Sequence, residues 1–572
     1  MNFYQFKLFK QLIIPVVIAF VSSCANVVTP TGGPKDISAP KVLNCEPKNS
    51  TVNFKSKSVR IYFEEFVKLN EISNNLIISP PLKNTPEIKI KGKSIFFELK
   101  DSLKDNTTYT FNFGNSIGDI TENNILTNYT YVLSTGSFID SFSYKGKIVN
   151  AQTLKPEKDI FVMLYKENID SIPLKEIPYY IAKTDLEGNF TFKNLAKSKY
   201  KFFALKDLNN NFLFDQIEEQ IAFSDTVVIS NSTEINKEAS KTDTLHKKDS
   251  LKTVNILQKE NIFKLFTEVD TSQKIVKTTV LEKGKLMIVF KRPTTDIQIN
   301  SLTPEIDISK QILEKSKTND TLIYWLPKVE KDSIYLEVRN KNIIIDTLSI
   351  SLKPPQKRES KKEKQNPKLI MNCSAKNGVN YDYFKSINIE FAHPVSKYNF
   401  EKIIFIEEKD TVKPVIGFID NIQRKLKIDF KLKEDKNYSL FIPPNTFTDV
   451  FDLMNDTLKL TFKTRSKKEY GTLKYKVKLP KNEGSKNFIL QMYNSTEKLV
   501  SEKFINSSQT VFYDNLEAGV YKMKLIEDEN NNKKWDTGIY LKNLQPEKVY
   551  FFPESINIKQ NWDLDLEWEV IR

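Results

Sequence analysis

Two stretches of this chain carry oxygen side chains at a spacing that suits a hard cation. They are Asp207-x-Asn209-x-Asn211-x-x-x-Asp215 and Asp528-x-Asn530-x-Asn532-x-x-x-Asp536. Calcium loops begin Asp-x-(Asp/Asn)-x-(Asp/Asn), because alternate side chains on a tight loop converge on one point. Glu218 falls at the twelfth position of the first stretch, where such loops place a bidentate carboxylate. The glycine those loops use is replaced by Phe212 in the first and Lys533 in the second. The second also has Lys534 two places before Asp536 and no acid at its twelfth position. A second reading stands beside calcium: Asn and Asp close a long hairpin turn by accepting backbone N–H groups. Calcium is the only cofactor these residues suggest.

A different chemistry belongs to Cys24. Lys7 and Lys10 precede the apolar run Leu12 to Phe20, and Val21-Ser22-Ser23 leads into the cysteine, an export-signal pattern. The run is short of the roughly 20 residues a bilayer span needs. Val21 to Cys24 resembles the lipobox of bacterial lipoproteins. That resemblance implies removal of residues 1–23, lipidation of Cys24, and a Pro/Gly/Thr spacer over 24–38. Several acyl chains on one cysteine anchor stably where a single chain binds marginally. The expected location is the outer membrane, lipid-anchored, facing either the periplasm or the outside. An uncleaved N-terminal anchor and an ordinary signal peptide are the alternatives. Asp-(Ser/Thr)-apolar triplets along the chain resemble the O-glycosylation sequon of Bacteroidetes, and Thr244 and Ser250 are the preferred acceptors. The plain alternative is a polar start to a β-branched strand.

Catalysis finds little footing. Of two histidines, His246 lies in a linker and His393 beside Pro394. No Ser-His-Asp order, zinc spacing or phosphate-cradling glycine loop is present. Carboxylates are plentiful, but a paired-acid glycosidase needs a cleft that small sandwiches do not supply. The net charge is +14, yet Lys and Arg alternate with Asp and Glu, and no basic helix or aromatic ladder points to nucleic acid. The expectation is a protein that is not an enzyme.

The elements that must position these residues read as strands throughout. Forty per cent hydrophobic and 12% aromatic residues suffice for packed cores. Val59 to Phe63, Glu87 to Lys91 and Thr107 to Phe113 alternate as half-buried strands do. Leu286 to Phe290, Thr321 to Trp325 and Ile343 to Ile345 are strand cores further on. Cys45 to Phe63 and Cys373 to Phe391 both span 18 residues, and Tyr109 to Thr135 and Tyr438 to Thr464 both span 26. This is an internal repeat. Cys45 and Cys373 occupy matching places, so they read as small buried strand residues rather than as a disulfide.

The expected fold is all-β: a string of sandwiches behind the signal peptide. The domains are 39–137, 138–230, 256–354, 368–466 and 467–572, with linkers at 231–255 and 355–367. Ala39-Pro40-Lys41-Val42, the Phe63 strand, Asn106 to Tyr109, Ile117-Gly118-Asp119 and Leu133 to Gly136 resemble bacterial Ig-like domains of S-layer type; 368–466 repeats them. Residues 138–230, with a tight turn at Asp185 to Gly188 and Asn194-Leu195 before Tyr200, resemble the prealbumin-like modules of carboxypeptidases. Residues 467–572 repeat that module through Asn515-Leu516 and Tyr521. The last strand alternates Trp562, Leu564, Leu566, Trp568 and Val570 with acids. Together these resemblances point to the Ig-like lipoproteins of Bacteroidetes. They imply a non-catalytic scaffold bound to the membrane through its lipid and to an envelope protein or glycan. The alternative is a glycan-binding subunit or glycan-processing enzyme.

Overall fold

A computed structural model describes residues 35–224, 226–229, 261–353, 367–480 and 486–571. Almost every element is a strand, as the two-residue alternation requires. The chain forms two compact units, the first running to Thr267 and including Tyr540–Leu544, the second formed by Glu268–Ile539 and the residues from Gln545 on.

The first unit opens with the first Ig-like domain. One sheet has the order Val42–Glu46, Ser58–Phe63, Ser94–Glu98, Ile88–Ile90; it faces Thr130–Ser134, Thr108–Asn112, Ile77–Ser79. Val59, Ile61, Phe63, Phe97, Phe111 and Tyr131 fill the space between them. Cys45 is buried opposite Ile61, its Sγ 3.3 Å from the Tyr129 hydroxyl, and burial pushes the thiol up.

The following module departs from the expected boundary. Its first strand, Phe142–Asn150, pairs antiparallel with Asn189–Leu195 and parallel with Ile262–Thr267. Lys147 stands opposite Ile262 and Asn150 opposite Leu265. The module therefore ends at Thr267 rather than 230, and the third sandwich starts later than 256. The Lys/Ser/Thr/Asp-rich stretch 231–255 falls before the module's last strand, not between domains. Tyr540, within this unit, sits edge-on to Phe203 and Phe223 at 5.5 Å.

In the second unit, the third sandwich pairs a sheet ordered Ile275–Glu282, Lys285–Phe290, Thr321–Trp325, Ile312–Lys315 with one ordered Ile297–Ser301, Ser333–Asn340, Ile343–Ser351. The Ile343 to Ile345 run is not a core: it lies on the edge strand, with Ile343 72% exposed. The 368–466 sandwich, expected as a second Ig-like domain, repeats key pairings of the first. Cys373 stands opposite Ile389 as Cys45 does opposite Ile61, and Val395 opposite Asp449 as Val67 does opposite Asp119. The last module repeats the parallel pairing, Tyr470–Lys478 against Asp563–Glu569. Its acidic face meets a lysine row: Lys474 to Asp565 at 2.7 Å and Lys476 to Glu567 at 3.1 Å.

Candidate functional site

The two Asp/Asn loops are built alike. Each leaves a long strand, Lys199–Lys206 or Gly519–Asp528, seven residues after a buried tyrosine whose hydroxyl donates to the carbonyl four residues back. Asp207 Oδ1 accepts the N–H groups of Asn209 and Asn210, and Oδ2 accepts that of Phe212 at 2.7 Å. Asp528 likewise takes Asn532 at 3.1 Å and Lys533 at 2.9 Å. The second and third oxygens are also engaged: Asn209 by Asn211 N–H, Asn211 by Leu213 N–H, Asn530 by Asn532 N–H, Asn532 by Lys534 N–H. The asparagine amides donate to Asp215 and to Asp536.

A buried acid closes each loop, and in the first it is Glu219, not Glu218. Glu219 is fully buried and accepts N–H groups of Leu208, Asp215 and Gln216, each at 3.1 Å. Glu218 faces solvent. In the second loop Glu547 takes Glu529 N–H at 2.8 Å and Asp536 N–H at 3.0 Å. Burial pushes its carboxyl up, with Asp536 and Asp528 adding to the shift against those two bonds. Phe212 and Lys533, at the glycine position, both have left-handed backbones, φ 62° and 64°. Apart from Asp207 Oδ1, each of the Asp and Asn oxygens that accept N–H groups keeps a lone pair beside its N–H bond, and a cation would compete with the asparagine amides for Asp215 and Asp536. The arrangement holds each loop as a closed turn. Among the described residues no three His, Cys, Asp or Glu side chains gather as a metal site.

Cys24, Thr244 and Ser250 lie outside the described residues. Of the other Asp-(Ser/Thr) pairs, two sit at strand starts, where Thr321 opens Thr321–Trp325 and Ser333 opens Ser333–Asn340, while Thr347 lies within Ile343–Ser351.

The densest polar chemistry lies elsewhere, where one sandwich meets the next inside a unit. In the first unit Thr108 Oγ donates to Asp140 at 2.8 Å, Asn194 donates to the Asp140 carbonyl, and Ile181 N–H donates to Ser79 Oγ at 3.0 Å. In the second, Arg465 reaches Asp382 at 3.3 Å, Glu469 at 3.2 Å and Glu517 at 3.1 Å. Tyr470 donates to the same Asp382, and Tyr383 donates to Asn515 at 2.7 Å. Burial works against the Asp382 carboxylate, but Lys385, Tyr470 and Arg465 hold it below its ordinary 3.8. A further joint brings Arg424 onto both oxygens of Glu314, at 2.5 Å each, and onto Glu390 at 2.9 Å. Apart from Glu469 and Lys385, these partners lie 32 to 132 residues apart in sequence and left no local signal for these joints.

Beside the Arg465 joint lies an open groove of about 590 Å³, lined by Phe384, Leu499, Val500, Phe512, Asp514 and Glu517 among others. Its one deeply held carboxylate, Asp382, is already bonded as described.

Residues 36–138 match the family model of a bacterial Ig-like domain. No curated protein matches the chain in sequence. Among solved structures, the S-layer protein SbsC, residues 31–844, is 11% identical, covering 91% of this chain and 67% of that one at a TM-score of 0.14. BcpA, the major pilin subunit of Bacillus cereus, is 10% identical over 75% of this chain and 99% of its own, also at 0.14. An α-2-macroglobulin fragment from Escherichia coli is 10% identical over 32% of this chain and 71% of its own, at 0.16. Whole-chain scores this low carry no argument; what stands is an all-β chain that contains a bacterial Ig-like domain.

Proposed function

We propose that this chain is a non-catalytic structural protein of a bacterial envelope, exported and held at the outer membrane by lipid on Cys24, whose sandwiches present loops and edges to an envelope protein or glycan. The observation that carries the reading is where its polar side chains go. Arg465, Arg424, Asp382, Asp140 and Glu314 tie one sandwich to the next, as a protein that sets positions requires. The Asp/Asn loops are engaged with their own backbone. Of the carboxylates in the groove, Asp382 serves Arg465, Lys385 and Tyr470, and Glu517 serves Arg465.

The test is mass spectrometry of the mature N-terminal peptide from fractionated membranes. An acylated Cys24 as first residue, with Cys24→Ser released from the membrane fraction, supports the reading. An unmodified Cys24 on a soluble chain, or an N-terminus at Met1, overturns the anchor.

A further inference from the structure

His393 stands where the 268–353 sandwich meets the second Ig-like domain, between two carboxylates from different sandwiches. Its Nδ1 lies 2.6 Å from Asp449 Oδ2 and its Nε2 lies 3.4 Å from Glu282 Oε1. The side chain is 12% exposed. Its ring packs edge-on to Trp325 at 5.7 Å and to Phe451 at 5.0 Å. Gly284 (φ 78°) allows that approach, since a Cβ there would come 2.6 Å from the Phe451 ring.

The first Ig-like domain shows what is particular to this arrangement. Two residues after the buried Phe63 it has Glu65, where the second domain has His393 two residues after Phe391. Asp119 gives both its oxygens to backbone, taking the N–H groups of Glu122, Asn123 and Asn124. Asp449, the matching residue, takes Phe451 and Leu453 N–H on Oδ1 alone, which leaves Oδ2 to the histidine.

We propose that His393 is a proton-operated latch between the 268–353 sandwich and the second Ig-like domain. With two N–H donors the imidazolium bridges Asp449 and Glu282 and closes the joint. The neutral ring has one N–H, which Asp449 retains on Nδ1. Nε2 then presents a lone pair to the Glu282 carboxylate, and attraction becomes repulsion. The proton goes to solvent and no other bond changes.

The surrounding charges set how far the latch opens. Lys285 lies 3.3 Å from Glu282 and 4.5 Å from the Trp325 ring centre, so Glu282 has another cation to turn to. Arg424, 5.6 Å from that ring centre, keeps Glu314 and Glu390, so the joint loosens at the histidine rather than parting. Burial lowers the imidazole's proton affinity, but the hydrogen bond to Asp449 and the charge of Glu282 outweigh it and raise the group above 6.5. A raised folded value makes the latch fully closed below the ordinary histidine range, and its contribution disappears as pH rises through the raised value.

The test follows the full chain labelled with ¹⁵N-histidine, in which only His246 and His393 report. Exchange of backbone hydrogens over 282–290 and 391–395, corrected for intrinsic rates, is followed across the same pH range. The expected result is a His393 midpoint above the ordinary histidine value of 6.5, with exchange at both stretches accelerating through that midpoint. The ratio of the two acid constants sets the fold-change. His393→Gln should abolish the step. Glu282→Gln changes a residue whose side chain is 45% exposed and should fold normally while lowering the midpoint. A His393 midpoint at or below 6.5, an unmoved midpoint in Glu282→Gln, or a step that survives in His393→Gln overturns the latch.

Discussion

A carboxylate in this chain is worth what it collects, and the pair Glu218 and Glu219 makes the point within one turn. Glu219 is fully buried and satisfies three backbone N–H groups; its neighbour is exposed. Leaving buried donors without a partner costs about 1–3 kcal/mol, whereas a surface truncation stays within about 0.5 kcal/mol. Glu219→Ala should therefore destabilise by about 2 kcal/mol or more in a denaturant titration, and Glu218→Ala by about 0.5 kcal/mol at most. The same accounting covers calcium. If the oxygens of Asp207, Asn209 and Asn211 serve the turn alone, the thermal midpoint is the same in EDTA and in calcium-saturated buffer. A calcium-dependent rise supports the cation reading. Sequence spacing located both loops but not the closing acids. Glu219 lies four residues past Asp215 and Glu547 eleven past Asp536, so no fixed interval marks them.

At the level of elements, alternation and turn residues were enough to find most strands. The Asp185 to Gly188 turn is one case: Asp185 N–H donates to Asn189 O at 2.9 Å and Gly188 has φ 76°. A Cβ on Gly188 would also meet the Ile148 carbonyl oxygen at 2.5 Å. Gly188→Ala should lower stability by more than the ~1–2 kcal/mol of a left-handed backbone alone, measured by thermal melting of the first unit. An effect below that range would mean the turn can rearrange. What alternation could not supply was partnership. Ile262–Thr267 reads the same whether it ends one module or begins the next, and only its parallel pairing with Phe142–Asn150 decides. The Ile343 run shows the converse limit, since an apolar triplet on an edge strand looks like core until its neighbours are known.

At the scale of the molecule, the central claim is that clustered polar side chains couple one sandwich to the next. The repeat of Ig-like domain and module was legible because spacing survives in sequence. The joints were not, because Arg465 finds Glu517 52 residues away and Asp382 83 away. The Asp382 joint also carries a pH sign. Its carboxyl is held below 3.8 in the folded chain, so the contribution is present above that value and is lost as pH falls through the lowered one. The histidine latch weakens in the opposite direction. Scanning calorimetry of the full chain with and without Arg465→Ala tests the claim most directly. The account predicts that the second Ig-like domain and the last module melt together in the native chain and separate into two transitions in the variant. Acidification below the Asp382 range should split the native chain's transition in the same way. An Arg465→Ala trace that superimposes on the native one would contradict it.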